Sequence, residues 1–153
     1  MIKKLLLTTF LVLGLNAAPL AVDSEIANLQ IKDQHEALKT IDSSVKTILF
    51  ASDKKTSDML RDYLLPLSEK ENVLEKNAAV YVADISGMPS LISKFIALPK
   101  MKKYPFSILL LDDTNKDNFT KEDGKIIVYS LEAGKVTKIE KISTNEELAN
   151  IIK

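Results

Sequence analysis

The chain has 153 residues with 21 basic and 21 acidic side chains, so its formal net charge is zero. Proteins that bind nucleic acid through general electrostatics need a strongly basic face with interleaved aromatic side chains, and a balanced chain with 6% aromatic residues does not supply one. The sequence contains no cysteine, which excludes disulfide bonds, thiol redox chemistry and metal sites built on cysteine.

The N-terminus has the three-part layout of a secretory signal peptide. Two lysines precede an apolar run from Leu5 to Leu15, and alanines follow at positions 17 and 18. The run is shorter than the roughly 20 apolar residues that span a bilayer. We predict a signal peptide over 1–17, cleavage near 17 or 18, export to the periplasm, and a single domain over 18–153. An uncleaved N-terminal anchor helix is the alternative.

The first elements of the domain are predicted from two short apolar runs and one longer run. Residues 28–40 surround Asp33 and Gln34 with the composition of a hairpin turn or of a strand entering a loop. An amphipathic helix over 25–38 is the competing interpretation. Residues 45–51, VKTILFA, are apolar without strict alternation, which is typical of a strand covered on both faces.

A helix is predicted directly after this strand. Asp53 or Ser52 is a suitable N-cap. The apolar positions that follow recur at helical spacing: Leu60, Tyr63, Leu64 and Leu67. Pro66 should kink or end the helix because proline has no backbone N–H.

A second strand and helix are predicted over residues 78–98. The run AAVYVADI, 78–85, reads as a strand, Gly87 breaks the chain, and Pro89 suits the first helical position. The apolar residues of this helix are predicted to form a buried stripe: Leu91, Ile92, Phe95 and Ile96. The helix should stop before Pro99.

The last third of the chain predicts a strand, a hairpin and a helix. Pro105 precedes the apolar strand 106–111, and strands 125–131 and 135–142 flank a turn with Gly134 at a left-handed position. An amphipathic helix over 145–153 follows. Its predicted inward residues are Leu148, Ile151 and Ile152. The whole order predicts an α/β domain with a mixed central β-sheet flanked by α-helices.

This order, with a proline just before the third core strand and a β-hairpin plus helix at the end, resembles the thioredoxin-like superfamily. The segment LQIKDQHEALKTI resembles the N-terminal part of its peroxiredoxin-like branch. The block YVADISGMPSLISKFIALPKMKKYPFSILLL, residues 81–111, resembles a group of secreted bacterial thioredoxin-like proteins without an established activity. The resemblance implies a three-layer sandwich.

The turn after the first core strand departs from that superfamily. In that superfamily the turn carries Cys-x-x-Cys or one peroxidatic cysteine, and a cis-proline faces it. By position, residues 54–58 stand at the place of the cysteines, and Pro105, preceded by Tyr104, stands at the place of the cis-proline. No residue of the turn supplies the thiolate that disulfide exchange and peroxide reduction need. We therefore predict the fold without thiol redox or peroxidase activity, and we assign no catalytic residue, cofactor or metal.

A ligand or partner surface is predicted where this turn meets the loop 100–105. It comprises Lys54, Lys55, Thr56, Ser57, Lys100, Lys102, Lys103, Tyr104 and Pro105. Lysines and hydroxyls beside the positive end of a helix suit a carboxylate, a phosphate or an acidic protein segment. The alternative is ordinary solvated lysines, with Phe106 in the core and Tyr104 as a half-buried plug.

The remaining polar patterns predict no catalytic site. Asp33, His35 and Ser57 can be written as a hydrolase triad, but no Gly-x-Ser-x-Gly sequence is present, so we interpret Asp-Gln-His as a turn. The three glycines after residue 18 are too scattered for a nucleotide-binding loop.

One long polar loop, 112–124, has calcium-loop spacing at Asp113, Asn115 and Asp117. An EF-hand needs glycine where Asn118 stands and glutamate where residue 124 stands, so we interpret the loop as solvated and acidic, with a loose calcium site as the alternative.

These patterns predict a redox-inactive binding module in the cell envelope that binds a protein or a small anionic ligand, and not nucleic acid. Two other classes remain open. One is an enzyme or carrier of oxidoreductase type with a cofactor that the sequence does not reveal. The other is a structural subunit that associates with its own copy, for example as a homodimer.

Overall fold

The computed structural model describes residues 18–153, so the predicted signal peptide lies outside the described residues. Two strands form a small antiparallel hairpin, β1 (Leu29–Lys32) and β2 (Leu38–Ile41). The central sheet contains β3 (Thr47–Ala51), β4 (Ala79–Asp84), β5 (Ile108–Leu111), β6 (Ile126–Glu132) and β7 (Lys135–Ile142). The helices are α1 (Lys54–Leu67), α2 (Val73–Lys76), α3 (Ser90–Ile92), α4 (Leu98–Met101) and α5 (Asn145–Ile151). Within residues 18–153, no helix has the length and apolar character needed to cross a membrane.

The central sheet is mixed, as the sequence predicts. Its strand order is β5-β4-β3-β6-β7, with β3 parallel to β4, β4 parallel to β5, and the remaining neighbours antiparallel. Because successive side chains of a strand point to opposite faces, the buried run of β3 supplies both layers of the core. Leu49 packs on the face covered by α1, α2 and α5, whereas Ile48 and Phe50 pack on the face covered by the β1–β2 hairpin and Phe119.

The β1–β2 hairpin confirms the turn interpretation of Asp-Gln-His, and the competing helix over 25–38 is wrong. Asp33 Oδ1 accepts hydrogen bonds from the backbone N–H groups of His35 (2.8 Å) and Ala37 (3.0 Å). The buried Gln34 side chain accepts from Ile108 N–H and donates to Phe106 O, both at 2.8 Å. Gln34 therefore fastens the turn to the start of β5.

The first helix begins with Asp53 as its N-cap, one of the two caps that the sequence predicts. Asp53 Oδ1 accepts the Thr56 N–H at 2.8 Å, and the Thr56 hydroxyl accepts the Asp53 N–H at 3.3 Å, which completes a capping box. Asp53 Oδ2 also accepts the Gly124 N–H at 2.7 Å, so one carboxylate joins the start of α1 to the loop before β6. The helix ends one residue after Pro66, as expected for proline.

The stretch from α3 to α4 corrects the sequence prediction in three ways. Helical structure continues past Pro99 to Met101, because a π-helical turn, Ser93–Ala97, lets the Leu98 N–H donate to Ser93 O and makes room for the proline ring. The apolar residues predicted to be buried are instead exposed, by 70% at Leu91 and 67% at Phe95. Helical spacing shows that apolar residues share a face, but it does not show that another element covers that face. Pro89 lies at the N-cap, one position earlier than predicted.

The capping carboxylate provides a test of the fold. We expect Asp53→Ala to lower the free energy of unfolding by about 1 to 2 kcal/mol, since it removes the N-cap and leaves the Gly124 N–H without its acceptor. Asp53→Asn keeps a side-chain oxygen at the cap and should cost less. Urea unfolding of the three proteins measures both differences, and equal losses for the two variants would contradict the role of the cap.

The β6–β7 turn confirms the predicted left-handed glycine, and this glycine provides a second test of the fold. Gly134 has φ of 79°, and a Cβ at this position would lie 2.6 Å from Ala27 Cβ. We expect Gly134→Ala to lower the free energy of unfolding by about 1 to 3 kcal/mol. Gly87→Ala is the matched control, since a Cβ there meets nothing within 4 Å, and it should change stability by less than about 0.5 kcal/mol. Thermal or urea unfolding in which the control loses as much would refute this account.

Candidate functional site

A cleft of about 800 Å³ opens at the edge of the sheet where β3 and β4 end. Its walls are the first turns of α1, the segments that follow β3 and β4, and the helical stretch Ser90–Met101. The carboxyl ends of parallel strands are the common location of ligand sites in open α/β sheets. The cleft is therefore the candidate site.

The apolar wall of the cleft comes mainly from the segment after β4 and from the helical stretch. Its members are Ile85, Met88, Ile92, Ile96, Ala97 and Met101, with Tyr104, Tyr81 and Ile108 deeper in the fold. Ile92 and Ile96 are 44% and 64% exposed, so this wall continues onto the outer surface. Tyr104 stacks on Phe106 with ring centroids 5.6 Å apart, and Phe106 is buried.

The polar side of the cleft contains Asp84 at the end of β4. Its carboxylate is 3% exposed, forms an ion pair with Lys121 Nζ, and accepts the Ser86 N–H at 2.8 Å. Burial favours the neutral acid, but the hydrogen bonds from Lys121 and Ser86 outweigh it and hold the pKa of Asp84 below its ordinary value. Asp84 is therefore a charged acceptor at neutral pH.

The first turns of α1 present a second set of paired charges. Asp58 forms ion pairs with Lys54 and with Arg61, whose Nη1 lies 2.6 Å from Asp58 Oδ1. Arg61 also contacts Asp62 at 2.8 Å. The hydrogen bond from Lys54 is the main cause that lowers the pKa of Asp58. These contacts leave Lys54 less available to an external anion than the sequence suggests.

Among the described residues, no histidine lines the cleft beside its hydroxyl groups. Burial raises the pKa of the Tyr81 phenol, which is 2% exposed, still further above neutral pH. Ser57 lines the cleft beside it, whereas the single histidine of the chain, His35, lies exposed in the β1–β2 turn. Asp33, the other member of the hydrolase triad considered from the sequence, uses its carboxylate to accept backbone hydrogen bonds within that turn.

The structure brings together only part of the predicted surface. Four of its nine residues line the cleft: Lys54, Ser57, Lys100 and Tyr104. Another four are exposed outside the lining: Lys55, Lys102, Lys103 and Pro105. Thr56 is fully buried, and its hydroxyl is used in the capping box. The Tyr104–Pro105 peptide bond is trans, at the place where the superfamily resemblance implies a cis-proline.

The N-terminus of α1 is capped by a carboxylate of the protein itself. The Asp53 carboxylate accepts the Thr56 N–H, and its second oxygen holds Gly124. Burial opposes the charge of Asp53, yet these backbone hydrogen bonds keep its pKa below the ordinary value. A negative charge therefore stands at the positive end of the helix, where the sequence predicts an external anion.

The calcium-loop residues are engaged locally. Asn115 Oδ1 accepts the Asp112 N–H at 2.8 Å, and Asp113 forms an ion pair with Lys116 at 2.7 Å. In the part of the chain that the structure describes, no three histidine, aspartate or glutamate side chains are grouped as metal ligands.

Sequence reasoning missed the charged groups that organise the cleft. Asp84 is the first polar residue after the apolar run of β4. Its position at the end of a strand is the sequence signal that could have identified it as a site residue. Lys121 is distant in sequence, and only the sheet order brings its loop to β4. The buried Gln34 gave no signal, since its partners are backbone atoms of β5 and the segment before it.

Comparison with solved structures identifies the architecture. The thioredoxin domain of a thiol-disulfide oxidoreductase from Bacteroides vulgatus superposes with a TM-score of 0.53 at 14% identity, over 88% of this chain and 99% of that one. The chain has a thioredoxin-like fold. Two further structures share this fold. Peroxiredoxin Q from Xanthomonas campestris has a TM-score of 0.52 at 15% identity, over 88% of this chain and 92% of that one. A peroxiredoxin-like protein from Aquifex aeolicus has a TM-score of 0.53 at 10% identity, over 86% of this chain and 85% of that one.

At these identities the likeness concerns the fold alone. No protein-family model and no curated protein matches the sequence. Thioredoxin-like neighbours include thiol-disulfide oxidoreductases and peroxiredoxins, whereas this thioredoxin-like chain contains no cysteine. The structural likeness to these neighbours confirms the predicted thioredoxin-like fold.

The buried charge of Asp84 provides a test of the cleft. Because the pKa of Asp84 is lowered in the folded state, its contribution is present above the unfolded value of about 3.9 and is lost as the pH falls through the folded pKa. We expect Asp84→Asn to cost about 1 to 3 kcal/mol near pH 7, and the difference from the native protein to shrink below about pH 4.

Urea unfolding from pH 3 to pH 7 measures this difference, with the exposed Asp123→Asn as control. Lys121→Met should raise the Asp84 pKa in a carboxyl NMR titration, since it removes the cationic partner. An Asp84→Asn deficit that stays constant down to pH 3 would contradict the ionised pair.

Proposed function

We propose that this protein is a redox-inactive binding module of the cell envelope, and that its cleft takes an apolar, acidic segment of a partner protein. The observation that carries the proposal is the open cleft of about 800 Å³ at the ends of β3 and β4. Apolar side chains combined with convergent polar and charged groups are the usual lining of a binding site. The envelope location rests on the predicted signal peptide.

The charges around the cleft favour a partner with negative charge. Its lining contains five basic residues, Lys54, Arg61, Lys100, Lys116 and Lys121. It contains three acidic residues, Asp53, Asp58 and Asp84. The excess of two positive charges supports the predicted preference for an acidic segment or a small anion. The Asp53 carboxylate already places a negative charge at the start of α1, so a free anion would be repelled there. A protein segment can use the apolar wall as well, and it therefore fits the cleft better.

Thiol chemistry cannot support a catalytic role. Disulfide exchange and peroxide reduction need a sulfur nucleophile, and the chain has none. A thioredoxin-like domain without that nucleophile retains the cleft, so binding is the activity that the remaining residues support. An enzyme or carrier with an unrecognised cofactor is the rival function, and a self-associating subunit is another.

Affinity capture from an envelope extract tests the proposal. We expect Lys54→Glu with Lys100→Glu to reduce recovery of an acidic partner at least tenfold, because each reversal opposes the partner's charge at the lining. Lys55→Glu with Lys102→Glu is the matched control, since it makes the same charge change on exposed lysines outside the lining. Recovery is measured by quantitative mass spectrometry after mild crosslinking.

Three results would contradict the proposal. Equal losses in the two double variants would mean that general charge, not the cleft, holds the partner. A small molecule or metal that copurifies in place of a protein would favour the carrier or enzyme. A concentration-dependent dimer in sedimentation that disappears with the cleft variant would favour self-association.

A further inference from the structure

The helical stretch Ser90–Met101, from here the amphipathic segment, has an uncovered apolar face. Its four large apolar side chains at positions i, i+1, i+4 and i+5 are exposed: Leu91 (70%), Ile92 (44%), Phe95 (67%) and Ile96 (64%). Helical spacing places them on one side of the segment. Elsewhere in residues 18–153, the exposed large apolar side chains are Val22, Leu38 and Leu67, which are far apart in sequence. A cluster of four within six positions marks an interaction surface.

The cleft accounts for only half of this face. Ile92 and Ile96 line the cleft, whereas Leu91 and Phe95 do not. A ligand seated in the cleft would therefore leave the two most exposed apolar side chains in water. These two side chains are therefore available to a second partner.

The charge of this part of the chain is one-sided. Between Ile85 and Leu111 the sequence has four basic residues and no acidic residue, although the whole chain is neutral. The four are Lys94, Lys100, Lys102 and Lys103, and all are exposed. Within the described range 18–153, none of them forms an ion pair. Lys94 Nζ lies 6.0 Å from the ring centroid of Phe95, so positive charge borders the apolar face directly.

We propose that the amphipathic segment binds the surface of an anionic lipid bilayer. Leu91 and Phe95 enter the boundary between headgroups and acyl chains, while the lysines contact lipid phosphates. Helices that lie in a membrane interface combine an exposed apolar face with a lysine-rich border. A second copy of the chain is a poorer occupant, because it would bring the same four positive charges against these four. This proposal does not depend on what the cleft binds.

A tryptophan reporter tests the contact locally. The chain has no tryptophan, so Phe95→Trp places a single fluorophore on the proposed face, and Leu38→Trp places one at an exposed apolar position on the β1–β2 hairpin. The full chain is mixed with vesicles of phosphatidylglycerol and phosphatidylcholine. We expect the emission of the Phe95→Trp protein to shift to the blue and to be quenched by brominated acyl chains, and the Leu38→Trp emission to stay unchanged. Because the readout is local, binding through another segment does not imitate it.

Substitutions in the reporter background separate the apolar and charged contributions. Leu91→Ser should weaken vesicle binding at least about tenfold, since it removes a side chain that inserts. Replacing one lysine of the segment by glutamine should weaken binding to anionic vesicles about fivefold, and this applies to Lys100→Gln, Lys102→Gln and Lys103→Gln. Added salt should also weaken binding, because it screens the attraction between lysine and phosphate. The matched controls are Val22→Ser for the apolar change and the exposed Lys46→Gln, Lys70→Gln and Lys135→Gln for the charge changes, all outside the segment.

Other outcomes would overturn the proposal. Phe95→Trp emission that ignores anionic vesicles, or that responds equally to pure phosphatidylcholine, would exclude an anionic bilayer as the partner. A blue shift that appears without lipid and grows with protein concentration would assign the face to a second copy. A photo-crosslinker at position 95 that captures a protein from membranes, while vesicles have no effect, would assign it to a protein partner.

Discussion

Strand β3 is hydrogen-bonded on both sides, parallel to β4 and antiparallel to β6, and the rest of the structure depends on this pairing. Its residues Ile48 to Ala51 are fully buried, so they belong to the core on both faces of the sheet. A strand in this position has no free edge, and the chain can leave it only at the end of the sheet. The polar residues that follow β3 therefore meet those that follow β4, and the cleft forms between them.

The electrostatics of the cleft follow from the same constraint. Carboxylates at the ends of strands and at a helix start are partly removed from water, so hydrogen-bonding and cationic partners stabilise their ionised form. Asp53 obtains them from backbone N–H groups, and Asp84 obtains them from Lys121 and Ser86.

Local signals in the sequence predicted the fold well where a chemical rule acts over a few residues. The Asp53 cap, the end of α1 after Pro66 and the left-handed Gly134 depend on side-chain hydrogen bonding, a missing N–H and a missing Cβ. The candidate site was predicted only in part. Lys54, Ser57, Lys100 and Tyr104 line the cleft, whereas the hydroxyl of Thr56 faces inward because the third position of a capping box must reach back to its cap.

The sequence by itself determined the order of the five central strands and of the helices that follow β3, β4 and β7, the lack of thiol chemistry and the excess of lysine between Ile85 and Leu111. It did not predict the short helix α2. Each feature that it determined depends on composition or on neighbours within one turn of helix or one pleat of strand. Only the tertiary structure decided that Asp84 meets Lys121, and that Leu91 and Phe95 remain exposed. Both outcomes depend on which distant segments come together across the sheet, and the periodicity of a single segment carries no information about its neighbours in space.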